Sequence, residues 1–588
     1  MSIIDKHYNI NIMVSKIIAK SKKILTTPQT SVLSAATIIM LMIVASRILG
    51  LVRQRTLAHF FVPGELSLFF AAFRLPDLVF EVLVFGTFSS AFIPVFTQSL
   101  KKGNHKAWKA AATIVNIGLL IFISLAMLLG SSAGLLYSVF APGYSGAERE
   151  TIASLAKILF AAQGFFVISY VLTGVLESLR RFLVPALAPL FYNLGIILGT
   201  IIFADKLGLY APAVGVIIGA VAHFLIQLPL AVKLGFRFIF SFSLTDEVKK
   251  IGRLAAPRIV ETFFLQISKT AELFFSSLIS TAAYTYFTFG NTLQLVPVGL
   301  FGTSIAKAAL PTLAREADSP EKFRKTLFSA LYDMAFLIIP VATVLIILRT
   351  PIVRLVYGTD IFGWEATVQT GYVISAFAVG VFFQAAAAIL ARSFYALQDT
   401  KTPVLVSITS IILIILCDFL LIRILKVGVW GLAAAFSVGS FFQATTLLYL
   451  MGRRLGRMNF LKNILPIAKS TLAALGSGVA MYFILKIFDR SVWVKRLSFL
   501  GKIEATRKID FESFVLDTRY TVNLLALTAL VAAVGAFVYL GISIILRSEQ
   551  FWNFSRLLRR VFLKHKFPPI PQKEPEPVAP TPGDTTNS

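Results

Sequence analysis

FGTFSSAFIP (residues 85–94) and FGTSIAKAALP (residues 301–311) begin with the same three residues and end on a proline, and reading them as two copies of one element decides the fold. Outward from these stretches the agreement persists. Pro185 opens an apolar run as Pro403 does, Gly215 answers Gly431, and Gln227 answers Gln443, all at a separation of 216 to 218 residues. Chance matching of common membrane residues does not readily keep four landmarks in order and at one spacing. The chain therefore reads as a repeated unit with a shorter addition after it.

The repeated unit is built for lipid. Of the 588 residues 57% are hydrophobic and 14% charged, against roughly 45–50% and about 25% in a soluble domain. A helix needs about 20 apolar residues to cross roughly 30 Å of hydrocarbon. Such runs fall near 33–60, 67–98, 110–139, 151–178, 184–204, 211–234 and 254–280, and again near 284–312, 327–349, 368–397, 403–425, 428–451, 464–487 and 520–546. The expected fold is an all-α integral membrane protein of about 14 transmembrane helices. Two six-helix lobes, 33–234 and 235–456, are followed by two further helices within 457–547. Six is even, so the copies share one orientation and form a parallel repeat, an arrangement typical of transporters that rock two lobes about a central cavity.

Charge gives the orientation. The formal net charge of +27 would suggest nucleic acid in a soluble protein; here Lys and Arg stand mainly in alternate connections, such as Lys101/Lys102, Arg180/Arg181, Lys249/Lys250, Lys322/Arg324 and Arg453/Arg454, as expected on a cytoplasmic side facing anionic lipid. Both termini are expected inside, with a basic extension over 1–32, an external loop over 488–519 and a cytoplasmic, disordered, Pro-rich tail over 548–588. The polar, basic start and the length of the first apolar run argue against a cleavable signal peptide. Cys417 is the single cysteine, which excludes an intramolecular disulfide or a cysteine metal cluster. No Walker A sequence occurs, and the histidines lack metal-ligand spacing. We therefore expect no enzyme activity, catalytic residue, metal site, cofactor or nucleic-acid partner. Transport would draw on a Na+ or H+ gradient, the substrate gradient or the membrane potential, worth about 2.3 kcal/mol per charge at 100 mV.

Ionisable residues inside membrane spans are costly and mark candidate sites. The first span carries Arg47, Arg53, Gln54 and Arg55. The second carries Arg74, Asp77 and Glu81, whose i, i+3, i+7 spacing puts them on one helical face. In the seventh, Arg258, Glu261, Lys269 and Glu272 recur, the last three forming a polar stripe with Leu265. Spans 1, 2, 7 and 8 hold equivalent places in the two copies, so these residues are expected to line a hydrophilic cavity between lobes. Arg55, Arg74 and Arg258 could equally be end-of-helix snorkels; Asp333, Arg392 and Asp418 stand isolated and suit structural roles.

The stretches SRILGLVRQ (46–54) and AAFRLPDLVFEVLVFGTFSSAFIPVF (71–96) resemble the first two helices of the MurJ/MviN lipid II flippases, members of the multidrug/oligosaccharidyl-lipid/polysaccharide exporter superfamily. LRRFLVPALAPLFYNLGII (179–197), LVPVGLFGTSIAKAALPTLARE (295–316) and LARSFYALQDTKTPV (390–404) extend the resemblance over about residues 33–456. It implies a flippase carrying an undecaprenyl-diphosphate-linked peptidoglycan precursor to the outer leaflet of the bacterial cytoplasmic membrane for cell-wall synthesis, its head group in a cationic cavity of helices 1, 2, 7 and 8 and its tail along helices 13 and 14. Arg47, Arg53 and Arg74 match basic positions of the family. The family's second-helix arginine is Phe80 here, an acidic position is Phe85, the eighth-helix arginine aligns with Asn291, and further acidic positions become Gln54 and Ser67. The resemblance thus implies a substrate site of Arg47, Arg53, Arg74, Asp77, Lys269, Glu272 and Asn291, Lys269 making up missing positive charge, while Gln54, Glu81 and Glu261 form further cavity polar groups or a cation site.

Two other readings stay open. One is a cation-coupled exporter of small amphiphiles or of another lipid-linked glycan, using Asp77, Glu261 and Glu272. The other is a non-transporting scaffold that recruits cell-envelope synthesis proteins through the 488–519 loop and the tail; deleting the tail would disable a scaffold and spare a transporter.

Overall fold

The computed structural model describes residues 32–85, 88–456, 460–488 and 521–562. The basic extension, most of the 488–519 loop and the tail after Phe562 lie outside the described residues, as do the side chains of Phe85, Arg258 and Glu261. The start of the tail expected to be disordered is instead helical over Glu549–Phe562, where Trp and Phe are interspersed with Arg before the prolines begin. Every regular element among the described residues is helical.

In the first lobe, α1 spans Val32–Phe60. Helix α2 is interrupted: Pro63–Ala72, Arg74–Phe80, a π-helical turn Glu81–Phe85, then Phe88–Lys102. It is followed by α3 (Asn104–Ser131), a short helix Ala133–Phe140, α4 (Gly146–Ser178), α5 (Leu183–Leu207) and α6 (Tyr210–Leu225). The second lobe repeats the plan with α7 (Asp246–Ser277), α8 (Ala283–Pro297, a π turn Val298–Thr303, Ser304–Arg315), α9 (Pro320–Ile347), a short helix Arg349–Tyr357, α10 (Trp364–Ala396), α11 (Lys401–Asp418, continued to Ile424) and α12 (Trp430–Leu455). Helices α13 (Phe460–Phe488), α14 (Thr521–Ile545) and α15 (Glu549–Phe562) complete the chain.

Packing repeats as well as order. In the first lobe α1 packs on α5, α5 on α6, α6 on α4, and α4 on α2 and α3; in the second α7 packs on α11, α11 on α12, α12 on α10, and α10 on α8 and α9. Small residues set the closest of these approaches. A Cβ on Gly195 would lie 2.3 Å from the Gly219 Cα, and one on Gly199 2.3 Å from the Gly215 Cα, so paired GxxxG stretches hold α5 and α6 backbone to backbone.

In the first lobe, where the second helix departs from ideal geometry, a buried tyrosine makes up for the lost bond. Pro76 has no N–H to give the Ala72 carbonyl, and the helix restarts at Arg74. Tyr137, buried in the first short helix, donates its hydroxyl to the Ala71 and Ala72 carbonyls at 3.1 and 3.0 Å. In the second lobe Tyr357, also in the short helix, donates to the Phe289 carbonyl within the unbroken Ala283–Pro297 stretch of α8.

Eleven of the described helices are long and apolar enough to cross a membrane, which makes this a multi-pass membrane protein. Helices α1, α2 and α7 are not among the eleven. Ionisable residues stud α7, and α2 is broken by Pro76 and a π turn. These three helices carry most of the ionisable residues of the candidate site.

Candidate functional site

The middle of α2 presents three ionisable groups, Arg74 and Asp77 on the segment after the break at Phe73 and Glu81 at the start of the π turn. Their expected common face divides in two. Asp77 accepts from the Gln163 amide of α4 at 2.8 Å and so binds within its own lobe. Arg74 and Glu81 reach across to α7.

There a single amide joins them. The buried Arg74 guanidinium donates through Nη2 to Gln266 Oε1, and the same side chain donates through Nε2 to Glu81. Lys269, one turn along α7, gives Glu81 a forked contact at 3.0 and 2.8 Å. The result is a continuous polar chain, Arg74, Gln266, Glu81 and Lys269, between the lobes. Lys269 keeps 42% of its side-chain exposure while paired, so space remains beside it. Arg74 Nε is buried without a hydrogen-bond partner, leaving one donor of the planar fork for another acceptor. Glu272 lies within the electrostatic reach of both Arg74 and Lys269.

The other wall of the site joins α1 to α8. Gln54 donates to Thr292 Oγ1 at 2.9 Å and accepts from the Tyr357 hydroxyl at 2.8 Å. Arg53, one residue earlier, is partly buried and within electrostatic reach of Tyr192 and Tyr357. Arg47 lies over the π turn of α8, where a Cβ on Gly299 would sit 2.9 Å from Nη2, and also lines a cavity of about 340 Å³ with Glu177, Phe182 and Pro185. Asn291 accepts from Gln294 along its own helix at 2.9 Å. Arg55 takes no part: it donates to the Leu355 and Val356 carbonyls at the end of the second short helix. Arg392 has a structural role, holding the Thr303 carbonyl at the end of the α8 π turn.

Both ends of the interlobe space are bridged. At one end Ser67 and Thr285, 218 residues apart and so at matching places in the two copies, share a hydrogen bond of 2.9 Å. Gly143 N–H donates to Ser277 Oγ there, and its backbone is so close that a Cβ would fall 2.0 Å from the Ser277 carbonyl oxygen. At the opposite end α7 runs beside Phe88–Lys102, and Lys250 donates to Gln98.

A family model described as "Lipid II flippase MurJ" matches residues 57–502. This chain belongs to the MurJ lipid II flippase family. A "Probable lipid II flippase MurJ" of Synechocystis sp. is 27% identical over 452 residues, covering 73% of this chain and 83% of that protein. The "Lipid II flippase MurJ" of Burkholderia cenocepacia is 27% identical over 429 residues, covering 70% and 81%. Among solved structures, one titled "Lipid II flippase MurJ, inward closed conformation" shares the fold with a TM-score of 0.69 at 24% identity over 87% of this chain and 98% of that one. A MATE family multidrug resistance transporter of the MOP superfamily shares it more distantly, with a TM-score of 0.55 at 14% identity over 70% and 94%.

Three positions where the resemblance leads one to expect charge carry neutral side chains with partners of their own in the structure. Phe80, where an arginine is expected, is buried against the rings of Phe166 and Tyr170 in the first lobe, so its side chain serves the lobe core. Gln54 and Ser67, where the resemblance leads one to expect acidic residues, make neutral hydrogen bonds across the lobes. Sequence reading passed over Gln266 and Gln163, the two amides that organise the charges. Gln266 sits one turn before Lys269 on the polar stripe of α7, and that register was the available signal.

Proposed function

We propose that this chain carries lipid II across the bacterial cytoplasmic membrane, from the inner to the outer leaflet, by alternating exposure of the space between its lobes. Membership of the MurJ family supplies the cargo class. The observation that carries the mechanism is the chain from Arg74 to Lys269, which places two cations and an acidic counterpart on facing lobes. A diphosphate is a stronger competitor for those cations than one carboxylate, since Arg presents forked donors that match phosphate oxygens. Substrate entering beside Lys269 would take Glu81's place and use the unpartnered Arg74 Nε. Exchange of one anion for the other alters how the lobes are tied together, and the displaced Glu81 carboxylate is then hydrated in the opened space or takes up a proton.

The alternating basic connections put both termini on the cytoplasmic side in this reading. The Ser67–Thr285 end then faces outward and the Lys250–Gln98 end inward, and each must part in turn. Arg47, Arg53 and Asn291 line the α1–α8 wall along which a head group would enter with its tail still in lipid. No residue is assigned a catalytic role; a Na+ or H+ gradient or the membrane potential biases the cycle. The likeness to MATE transporters is one of fold, and α13 and α14, beyond the two lobes, suit a cargo with a long lipid tail better than a small amphiphile.

Complementation tests the reading. Expressed in a bacterium depleted of its own lipid II flippase, the chain should restore growth and cell shape. Correct membrane insertion with continued lysis would count against it.

A further inference from the structure

The C-terminal helix α15 lies beyond residues 57–502, the stretch that matches the family model, and the transport reading gives it no task. Its sequence, EQFWNFSRLLRRVF, is strongly two-sided. Arg547 adopts a positive φ of 50°, which ends α14 sharply, and Ser548 N–H closes the turn on the Ser543 carbonyl. The chain then folds back onto the bundle. Phe551 and Phe554 pack on a cluster of Phe336, Ala473, Ala474 and Tyr539, contributed by α9, α13 and α14. The Phe554 and Phe336 rings lie 6.3 Å apart. Those contacts use the aromatic face. The other side exposes Arg556, tied to Asn553 at 2.7 Å, and Trp552, half exposed. Arg559 and Arg560 follow in the helix, and the basic run of the sequence continues to Lys564 and Lys566, with Glu549 the single acid from 549 to 566.

We propose that α15 is an interfacial helix whose basic side binds the head groups of anionic phospholipid. A helix that leaves a membrane span directly is held at head-group depth, where exposed tryptophan is favoured. Clusters of four or more Lys and Arg immediately beyond a span are attracted to anionic lipid. The alternative of a soluble acidic protein would need no membrane anchor and no interfacial tryptophan. Because Phe551 and Phe554 dock where α9 meets α13 and α14, lipid bound by α15 would steady the attachment of the last two helices to the second lobe.

Hydrogen exchange on the full chain in nanodiscs tests this. With about one third phosphatidylglycerol, amides of residues 549–562 should exchange at least about fivefold more slowly than in phosphatidylcholine alone, and added salt should remove the difference. A variant carrying Arg556→Gln, Arg559→Gln and Arg560→Gln should lose the difference, while lysine at the same three positions should keep it. Exchange in α9 serves as the control for folding. Equal exchange in both lipids, protection that survives in the glutamine variant, or protection produced equally by inorganic phosphate in phosphatidylcholine discs would overturn the proposal.

Discussion

Lys269 and Glu81 each depend on the other for their charge to be tolerated between the lobes. Removing the lysine alone leaves a partly buried carboxylate, and removing both leaves neutral groups. Lys269→Ala should therefore lower transport by about tenfold or more, and the double variant Lys269→Gln with Glu81→Gln should be less impaired than the two single effects combined, with a coupling of about 1–2 kcal/mol after allowance for the exposure of the lysine. Vesicle transport rates for the four proteins check this; strictly additive losses would sink it. Outside the membrane, Asp399 offers a pH prediction. Burial alone would push its carboxyl up, but the Thr402 N–H and hydroxyl and the Arg454 guanidinium outweigh that and hold it below its ordinary value. A depressed carboxyl stabilises the fold above the ordinary value, near pH 4, and this contribution is lost as pH falls through the lower folded value. In detergent melts the wild type should lose stability on acidification below about pH 4 more steeply than Asp399→Asn. At this scale the sequence was only partly readable. The charges announced themselves because they are rare among apolar residues, whereas Gln266 and Gln163 acquire importance only from what stands opposite them.

Helices rather than single side chains carry the next set of consequences. Where α5 meets α6 there is no room for side chains on the facing glycines, so Gly195→Val should cost about 1–3 kcal/mol or prevent assembly of the first lobe. A thermal midpoint unchanged from wild type would show that the helices can separate freely. Tyr357→Phe removes the hydroxyl that serves the buried Gln54 amide oxygen, leaving that acceptor unmet; a loss of about 1–3 kcal/mol is expected, read from the same melts. Long helices were legible because hydrocarbon demands length and apolar composition together. Ala133–Phe140 and Arg349–Tyr357 were not, since eight or nine residues carry too little pattern and merge with their neighbours. The π turns of α2 and α8 also escaped notice, although both fall at the recurring Phe-Gly-Thr, where Pro76 and Pro297 stand upstream. π turns often mark functional positions in helices, and here they sit in the two helices that face each other across the site.

The whole molecule follows from repetition. One six-helix plan, used twice in the same orientation, brings like positions of the two copies face to face, as Ser67 meeting Thr285 shows. That relation was visible in the sequence as a constant spacing. Which residues would bridge the lobes was not visible, because spacing relates each copy to the other without showing where they touch. Two lobes tied by an exchangeable polar chain can separate at either end while the cations stay paired, which is what moving a diphosphate through lipid requires. Reconstitution into vesicles loaded with labelled lipid II tests this most directly, by following the fraction of label reached by an impermeant reagent added outside. The account predicts that the accessible fraction rises with time in the presence of the protein, and that Lys269→Ala slows the rise. No gain in accessibility over protein-free vesicles, with the protein folded and inserted, would contradict it.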